Sequence, residues 1–261
     1  MIYRAKEHLP GVWQIAGEMG VCCTLLVGDG RALLVDAGYG LENIHAYVRT
    51  LTDKPVQLLL THGHHDHALG AMHFSSAWLF PEDEGVYRTY TGERQRRRVA
   101  DSAEANGIAV DRECFLMAPM AVTAPPTQSA DLGGMTARIL LCPGHTPGSA
   151  VVYVPERGLL ITGDDWNPVT WCFFPEALPV REYRENVRKL ADLPFRHVMC
   201  SHRENLWPRK ALTDFLDGLT DECLNGAEPS DEGREKGIET YTAHPAKDQI
   251  LVFDHAKGRI L

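Results

Sequence analysis

Residues 56–67 read VQLLLTHGHHDH, an apolar run followed by four of the chain's twelve histidines within six positions. Residues 56–60 have the length and composition of a short buried strand. Upstream of them, apolar residues at helical spacing across 41–51 follow two strand-like segments, 21–27 and 32–35. A βαβ-like unit is therefore predicted to deliver the chain to the histidines.

The residue types after this strand predict a metal site. Imidazole and carboxylate groups are the ligands that zinc and other first-row metals take in proteins. Gly63 allows a tight turn, so that His62 and His64 can converge, while Asp66 and His67 begin a helix and face an adjacent position. Active sites are common in loops at the carboxyl ends of strands. A solvated, histidine-rich loop is the alternative.

The rest of the chain alternates short strands with helices. Further strands are predicted at 136–142, 150–154, 158–162 and 198–200, and helices at 181–193 and 210–219. Such alternation indicates a mixed α/β fold, and the hairpin-length turns between neighbouring strands disfavour a purely doubly wound parallel sheet. Residues 227–237 are polar and predict a surface loop. Residues 250–253 and Ile260 predict a small terminal hairpin around Gly258.

Two regions could contact a substrate or be purely structural. Residues 81–130 have a weaker pattern and are interpreted as an insertion or cap, with helix over 82–98 and a proline-rich loop at 119–128. The basic residues of this helix could face a phosphate, although a solvated helix face is the commoner outcome; they are Arg94, Arg96, Arg97 and Arg98. Four aromatic residues could line a pocket or belong to the core; they are Trp166, Trp171, Phe173 and Phe174.

Composition limits the class of protein. The chain has 261 residues, 44% hydrophobic, which is enough for one sizeable core, and we expect a single domain over 1–261. A net charge of −9 disfavours nucleic acid and anionic membranes as partners. Its seven cysteines form no C-x-x-C pair and are expected to be reduced. With no export signal or membrane-length apolar run, we expect a cytoplasmic protein.

The chain resembles the metallo-β-lactamase superfamily, whose signature H-x-H-x-D-H is matched by His62, His64, Asp66 and His67. Four more elements of that superfamily follow in its order. They are DAG at 36–38, PGHTPG at 143–148, ITGD at 161–164 and SH at 201–202. The resemblance implies a four-layer αββα sandwich with one active site at the sheet edges.

The resemblance also implies two divalent metal ions and assigns their ligands. His62, His64 and His145 would hold the first ion, and Asp66, His67 and His202 would hold the second, with Asp164 bridging both. Two such ions lower the pKa of a shared water and so supply hydroxide near neutral pH. Zinc is the default, and iron or manganese suits the same ligands. Asp66 would also relay a proton, and Asp36 would steady a ligand histidine.

Taken alone, the downstream residues would be interpreted differently. His145 lies in a loop fixed by prolines and glycines, while Asp164 and His202 each follow a short apolar strand. Each of the three would ordinarily be a structural residue, and only convergence with residues 62–67 makes it a ligand. His65 occupies the variable position of the signature and is not counted. Asp165 is the competing bridging acid, but the spacing favours Asp164.

The resemblance implies a hydrolase that acts on an ester-like bond of a small molecule, with a thioester favoured. The motifs resemble those of hydroxyacylglutathione hydrolases, although the chain departs from them at residues 165–167. A mononuclear-iron persulfide dioxygenase is the alternative, because that branch uses two of these histidines and the aspartate. A lactonase would have tyrosine where this chain has Asn167. A small phosphodiesterase would need the arginine run.

Overall fold

The computed structural model describes residues 3–117 and 121–258. Its strands, in chain order, are β1 (Arg4–Leu9), β2 (Val12–Ala16), β3 (Cys22–Val27), β4 (Ala32–Val35), β5 (Val56–Leu59), β6 (Ala77–Trp78), β7 (Val122–Thr123), β8 (Ser129–Asp131), β9 (Thr136–Leu141), β10 (Ala150–Val154), β11 (Leu159–Ile161), β12 (Val169–Cys172), β13 (His197–Met199), β14 (Trp207–Pro208), β15 (Glu228–Ser230), β16 (Thr240–Ala246) and β17 (Gln249–Asp254).

The helices alternate with these strands. They are α1 (Ile44–Leu51), α2 (His65–Ala68), α3 (Glu84–Thr91), α4 (Glu93–Ala105), α5 (Arg112–Met117), α6 (Val180–Arg188), α7 (Arg209–Gly218), α8 (Asp221–Asn225) and α9 (His255–Gly258). Among the residues with assigned structure, no helix is both long and apolar enough to cross a membrane.

Three sheets are formed by these strands. The first has the order β1-β2-β3-β4-β5-β6-β7, and the second has the order β14-β13-β11-β10-β9-β8. In the first sheet β4, β5 and β6 are parallel, whereas β1 to β4 are joined as antiparallel neighbours. The third sheet, β12-β17-β16-β15, lies on the helical side of the second. The mixture of parallel and hairpin pairing agrees with the sequence prediction.

The two large sheets pack face to face. One core cluster joins Leu33 and Leu59 of the first sheet to Val152 and Ile161 of the second. The neighbouring positions on these strands point outward: Leu34 and Leu58 lie in the cluster that contains α1. The period of two along a strand sends alternate side chains to opposite layers, so strands between two layers are apolar throughout.

Helices cover the outer faces. Ile44 and Val48 of α1 are buried against the first sheet. Tyr183 of α6 and Phe215 of α7 are buried with Val151 of β10 on the second. The order is therefore helix, sheet, sheet, helix, and the predicted four-layer αββα sandwich is confirmed.

The C-terminal region differs from the prediction. Residues 255–258 form α9 and not a turn, and β17 pairs with β16 on one side and β12 on the other. The predicted hairpin around Gly258 is therefore wrong, and Ile260 lies outside the described residues. Residues 228–230 also form a strand within the segment predicted as loop. Its pairing to β16 is a long-range contact that local composition does not reveal.

The segment from residue 81 to 117 is helical. Val99, Ala100 and Phe115 form a small cluster with Leu69, which follows the histidine-rich loop. Of the arginine run, Arg96 is buried and donates to the carbonyl oxygens of Thr91 and Phe115. This helical segment therefore has its own apolar contact with the part of the chain that carries the histidines.

Candidate metal centre

The histidine-rich loop is fixed by a close approach of helix α3. Gly63 lies between β5 and α2, and a Cβ atom there would overlap the backbone nitrogen of Tyr87. The glycine is therefore required by packing against α3, whereas the sequence suggested a tight turn. His65, which starts α2, is not among the side chains that could hold a metal ion. Its ring stacks on Tyr90 at a centroid distance of 5.9 Å.

Asp83 ties two of the predicted ligand loops together. Its Oδ2 accepts a hydrogen bond from the backbone nitrogen of Gly63, and its Oδ1 accepts one from that of Gly148 at 2.9 Å. Burial raises the pKa of this carboxyl, and the two backbone donors act in the opposite direction. One buried side chain thus fixes the loop that carries His62 and His64 relative to the loop that carries His145.

The first three predicted ligands lie together at the edges of both sheets. Nδ1 of His64 is 3.1 Å from Nε2 of His62 and 2.9 Å from Nε2 of His145. The other ring nitrogen of His62 and of His145 has its own hydrogen-bond partner. His62 Nδ1 contacts Thr61 Oγ1 at 3.1 Å, and His145 Nδ1 contacts the carbonyl oxygen of Trp171 at 2.6 Å. These outer contacts orient each ring so that one nitrogen faces a common point.

The second predicted group is assembled from α2 and the loop after β13. Asp66 Oδ2 lies 3.7 Å from Nε2 of His67 and 3.7 Å from Nε2 of His202. Asp36, at the end of β4, contacts Nδ1 of His67 at 2.9 Å and accepts the backbone N–H of Thr61 at 2.7 Å. Asp36 therefore lies behind the ligands, in the supporting position that the resemblance implies.

Asp164 lies between the two groups. Its Oδ2 is 3.0 Å from Nε2 of His202, 3.3 Å from that of His67 and 3.8 Å from that of His145. Asp165 faces away from this point, and its Oδ1 accepts the backbone N–H of His145 at 3.1 Å. Of the two adjacent acids, Asp164 is thus the one whose oxygen reaches nitrogens of both groups.

Burial and charge set the protonation of the cluster. Burial, together with the neighbouring His64, lowers the pKa of His145 to about 4, so this imidazole is neutral and can act as a ligand. For Asp66, burial is outweighed by His67, His65 and His202, which lower its pKa to about 2. Burial likewise opposes ionisation of Asp164, but His202 and His67 hold its pKa well below the ordinary value. The carboxylates are therefore ionised at neutral pH.

The arrangement fits metal ions. Three groups of side chains each offer ligand atoms within 4.8 Å of one another: His62 with His64 and His145; His62 with His67 and Asp164; Asp66 with His67 and His202. Two buried polar atoms in the cluster, Asp164 Oδ1 and His67 Nε2, make no hydrogen bond. A buried polar atom without a partner costs free energy. A cation bound at this position would provide the missing partner for both atoms.

Glu176 is a contributor that the sequence did not reveal. It follows β12, and its carboxylate contacts Nε2 of His64 in a short hydrogen bond, while Tyr90 also bonds to it. The side chain is 15% exposed. This contact fixes the His64 ring with Nδ1 toward the other imidazoles. No motif marks Glu176, because the loop after β12 reaches the histidines only through the fold.

We expect that Glu176→Ala weakens binding of the ion that His62, His64 and His145 would hold by about 10–100-fold, because loss of a group that orients a ligand histidine typically has that effect. The dissociation constant is measured by competition with a chelating dye. Glu185→Ala, on an exposed position of α6, is the matched control and should leave the constant unchanged. An unchanged constant in Glu176→Ala would contradict the orienting role.

A cavity of about 490 Å³ opens beside the cluster. Trp171 and Phe174 line it, and Trp171 is 37% exposed, whereas Trp166 and Phe173 are fully buried in the core. Of the four aromatic residues, two therefore line the cavity and two belong to the core; the sequence had left both roles open.

The basic residues of the cavity wall are not those of the arginine run. Arg203 and Lys236 line the cavity, whereas the wall includes no residue of that run. Arg97 instead pairs with Glu93 on the exposed face of α4. The segment predicted as a polar surface loop therefore supplies Lys236 to the wall, which sequence reasoning missed.

Comparisons with known proteins agree with this geometry. The family profile described as the metallo-beta-lactamase superfamily matches residues 16–164. A protein of Bacillus subtilis described as a probable metallo-hydrolase is 29% identical over 146 residues, which are 53% of this chain and 63% of that protein. An acyl-coenzyme A thioesterase of Gallus gallus is 26% identical over an alignment of 203 positions, which covers 65% of this chain and 66% of that protein.

Among solved structures, a metallo-beta-lactamase family protein of Thermus thermophilus superposes with a TM-score of 0.57 at 19% identity. The superposition covers 95% of this chain and 100% of that one. At this identity the likeness concerns the fold. The two curated relatives are each matched over less than two thirds of their length.

Proposed function

This chain belongs to the metallo-beta-lactamase superfamily, and from that premise we propose that it is a metal-dependent hydrolase of a small-molecule thioester. The observation that carries the proposal is the position of Asp164 Oδ2, within 3.8 Å of histidine nitrogens from both ligand groups. A carboxylate shared by two such groups is suited to a pair of divalent ions. Zinc is the default, and iron or manganese also suits the ligands.

The ligands would be divided as the resemblance implies. His62, His64 and His145 would hold one ion; Asp66, His67 and His202 would hold the other; Asp164 would contact both. When bound, such ions act as Lewis acids that lower the pKa of water and polarise a carbonyl oxygen.

The protein's own groups complete the chemistry. Asp66, ionised because its pKa is about 2, can accept a hydrogen bond from the attacking water and so orient it. Trp171 and Phe174 form an apolar wall that excludes solvent from the bond to be cleaved. The leaving thiol has an ordinary pKa of about 8.5 and can depart as thiolate.

Two considerations favour a thioester. The relative from Gallus gallus is described as an acyl-coenzyme A thioesterase, and the ligand motifs resemble those of hydroxyacylglutathione hydrolases. The position where lactonases have tyrosine is Asn167, whose Oδ1 accepts the backbone N–H of Val169 at 2.9 Å. The phosphate contacts that the arginine run was predicted to offer are absent, because the cavity wall includes none of Arg94, Arg96, Arg97 or Arg98.

The helical segment of residues 81–117 is proposed to act as a cap on the single domain. Asp83 and Tyr87 of this segment fix the histidine-rich loop, and Tyr90 forms part of the cavity wall. The substrate would therefore enter between this segment and the residues after β12.

The proposal is tested by counting metal per chain and by assaying hydrolysis. Elemental analysis of the purified, metal-replete protein is expected to give two equivalents of zinc, iron or manganese. A panel of thioesters, lactones and phosphodiesters should then show cleavage of thioesters first. A single iron with oxygen uptake on a persulfide would instead establish the dioxygenase alternative, and a metal-replete protein that cleaves no member of the panel would contradict the hydrolase.

A further inference from the structure

Two exposed cations, Arg203 and Lys236, lie in the cavity wall. Arg203 directly follows His202, and its Nη1 donates to the His202 carbonyl oxygen at 2.8 Å. Lys236 comes from the turn Arg234–Lys236, far away in sequence. Both are additional to the residues that the proposed hydrolytic chemistry uses.

Lys236 is joined to the ligands through an aromatic ring. Its Nζ lies 5.4 Å from the centroid of the Phe174 ring. That ring in turn is 4.9 Å from the ring of His64 and 5.6 Å from the ring of His145. A cation placed over an aromatic face is held there by the ring's negative quadrupole while its N–H groups remain available as donors. Lys236 is therefore positioned beside the first ligand group.

The charge of Lys236 is not neutralised by a neighbour. Arg234 in the same turn pairs with Asp231 at 2.9 Å, but in the described part of the chain no carboxylate lies within ion-pair distance of Lys236 Nζ. The acids that line the adjoining cleft together with Lys236 are Asp231, Glu232 and Glu235. The carboxylates in the wall of the cavity beside the ligands are Asp66 and Asp164, which are themselves predicted ligands.

We propose that Lys236 binds an anionic group of the substrate, so that the thioesters this protein cleaves carry a carboxylate. The inference rests on the proposed hydrolase function and adds the substrate class. In a chain of net charge −9, an ammonium group without an ion-pair partner in the cavity wall gives the site a local attraction for anions. Arg203, beside His202, provides a second cationic donor in the same wall.

The test measures binding, so it does not depend on turnover. Two non-hydrolysable thioethers are used that differ only in a terminal carboxylate or carboxamide, and their dissociation constants are measured by calorimetry on the metal-loaded protein. The pair is made in two forms. In one form the terminal group lies on the acyl arm, and in the other it lies on the sulfur arm. The arm that shows the preference identifies which part of the substrate carries the anion.

We expect the native protein to bind the carboxylate about tenfold more tightly than the carboxamide in one of the two forms, as for a charge-assisted hydrogen bond. In Lys236→Ala the ratio should fall below about twofold, in Lys236→Arg it should largely persist, and 1 M salt should reduce it. Lys247→Ala, at an exposed turn, is the matched control and should keep the native ratio.

Two results would overturn the inference. One is equal binding of carboxylate and carboxamide by the native protein in both forms. The other is a preference that survives in Lys236→Ala, which would assign the anion to the metal ions or to Arg203. Absence of thioester cleavage in the assay panel would count against the hydrolase proposal only, since neither thioether has to be hydrolysed.

Discussion

His64→Ala is expected to lower thioester hydrolysis by about a thousandfold, since a metal ion in such a site is worth several kcal/mol of the barrier. His64 Nδ1 is the atom nearest to both other imidazoles of the first group, at 3.1 Å and 2.9 Å. Its removal leaves His62 and His145 as the remaining ligands of that group. The metal content should therefore fall by about one equivalent per chain, measured on the same preparation as the activity.

The matched control for this substitution is His244→Ala, an exposed histidine on β16 outside the cluster. It should change neither the metal content nor the rate. Circular dichroism and the melting temperature separate loss of the site from loss of the fold. Full activity with unchanged metal content in His64→Ala would show that the predicted ligand set is wrong.

Asp83→Ala is expected to lower the free energy of unfolding by about 2–4 kcal/mol, because two buried backbone donors lose their acceptor. These donors are the N–H groups of Gly63 and Gly148. For a chain of this size such a loss corresponds to a melting temperature lower by roughly 5–15 °C. Because the two loops carry His62, His64 and His145, metal affinity should fall as well. Denaturant titration and chelator competition measure the two effects.

Asp83→Asn serves as the conservative variant. Its single side-chain carbonyl can accept from one of the two loops, so we expect a smaller loss of stability than in Asp83→Ala. Asp53→Ala, at an exposed position after α1, should change the free energy of unfolding by less than about 0.5 kcal/mol. If Asp83→Ala were as stable as Asp53→Ala, the link between the two loops would have no energetic importance.

Local sequence patterns were sufficient for the main elements of the sandwich. The continuous apolar runs at 32–35 and 150–154 predicted strands with the bounds now observed, since a strand between two layers is apolar on both faces. The spacing within residues 62–67 indicated metal ligands, because histidines and an aspartate clustered in this way are typical of metal sites. Resemblance then added His145, Asp164 and His202, which their own surroundings would not have distinguished from structural residues.

The surroundings of the cluster depended on the tertiary structure. Glu176 lies 112 positions from His64, and Asp83 lies 65 positions from Gly148. A single carboxylate in a loop has no periodicity or motif that would mark it, so only the packing of α3 and of the segment after β12 shows its partner. The predicted hairpin at Gly258 was wrong for a related reason: residues 250–253 are a strand, but it forms its hairpin with the preceding strand β16 and pairs on its other side with β12, about 80 positions earlier in the chain.

The sequence by itself therefore determined a mixed α/β chain and the metal-ligating character of residues 62–67 through short-range spacing. The sandwich and the remaining ligands came from ordered motifs, through the resemblance to a known superfamily. The tertiary structure decided which side chains orient those ligands and which cations face the cavity. Lys236 is the clearest example, since it lies in a polar segment that composition alone assigned to the surface. Its place beside Phe174 arises only when β15 pairs with β16 and brings residues 234–236 over the end of β12.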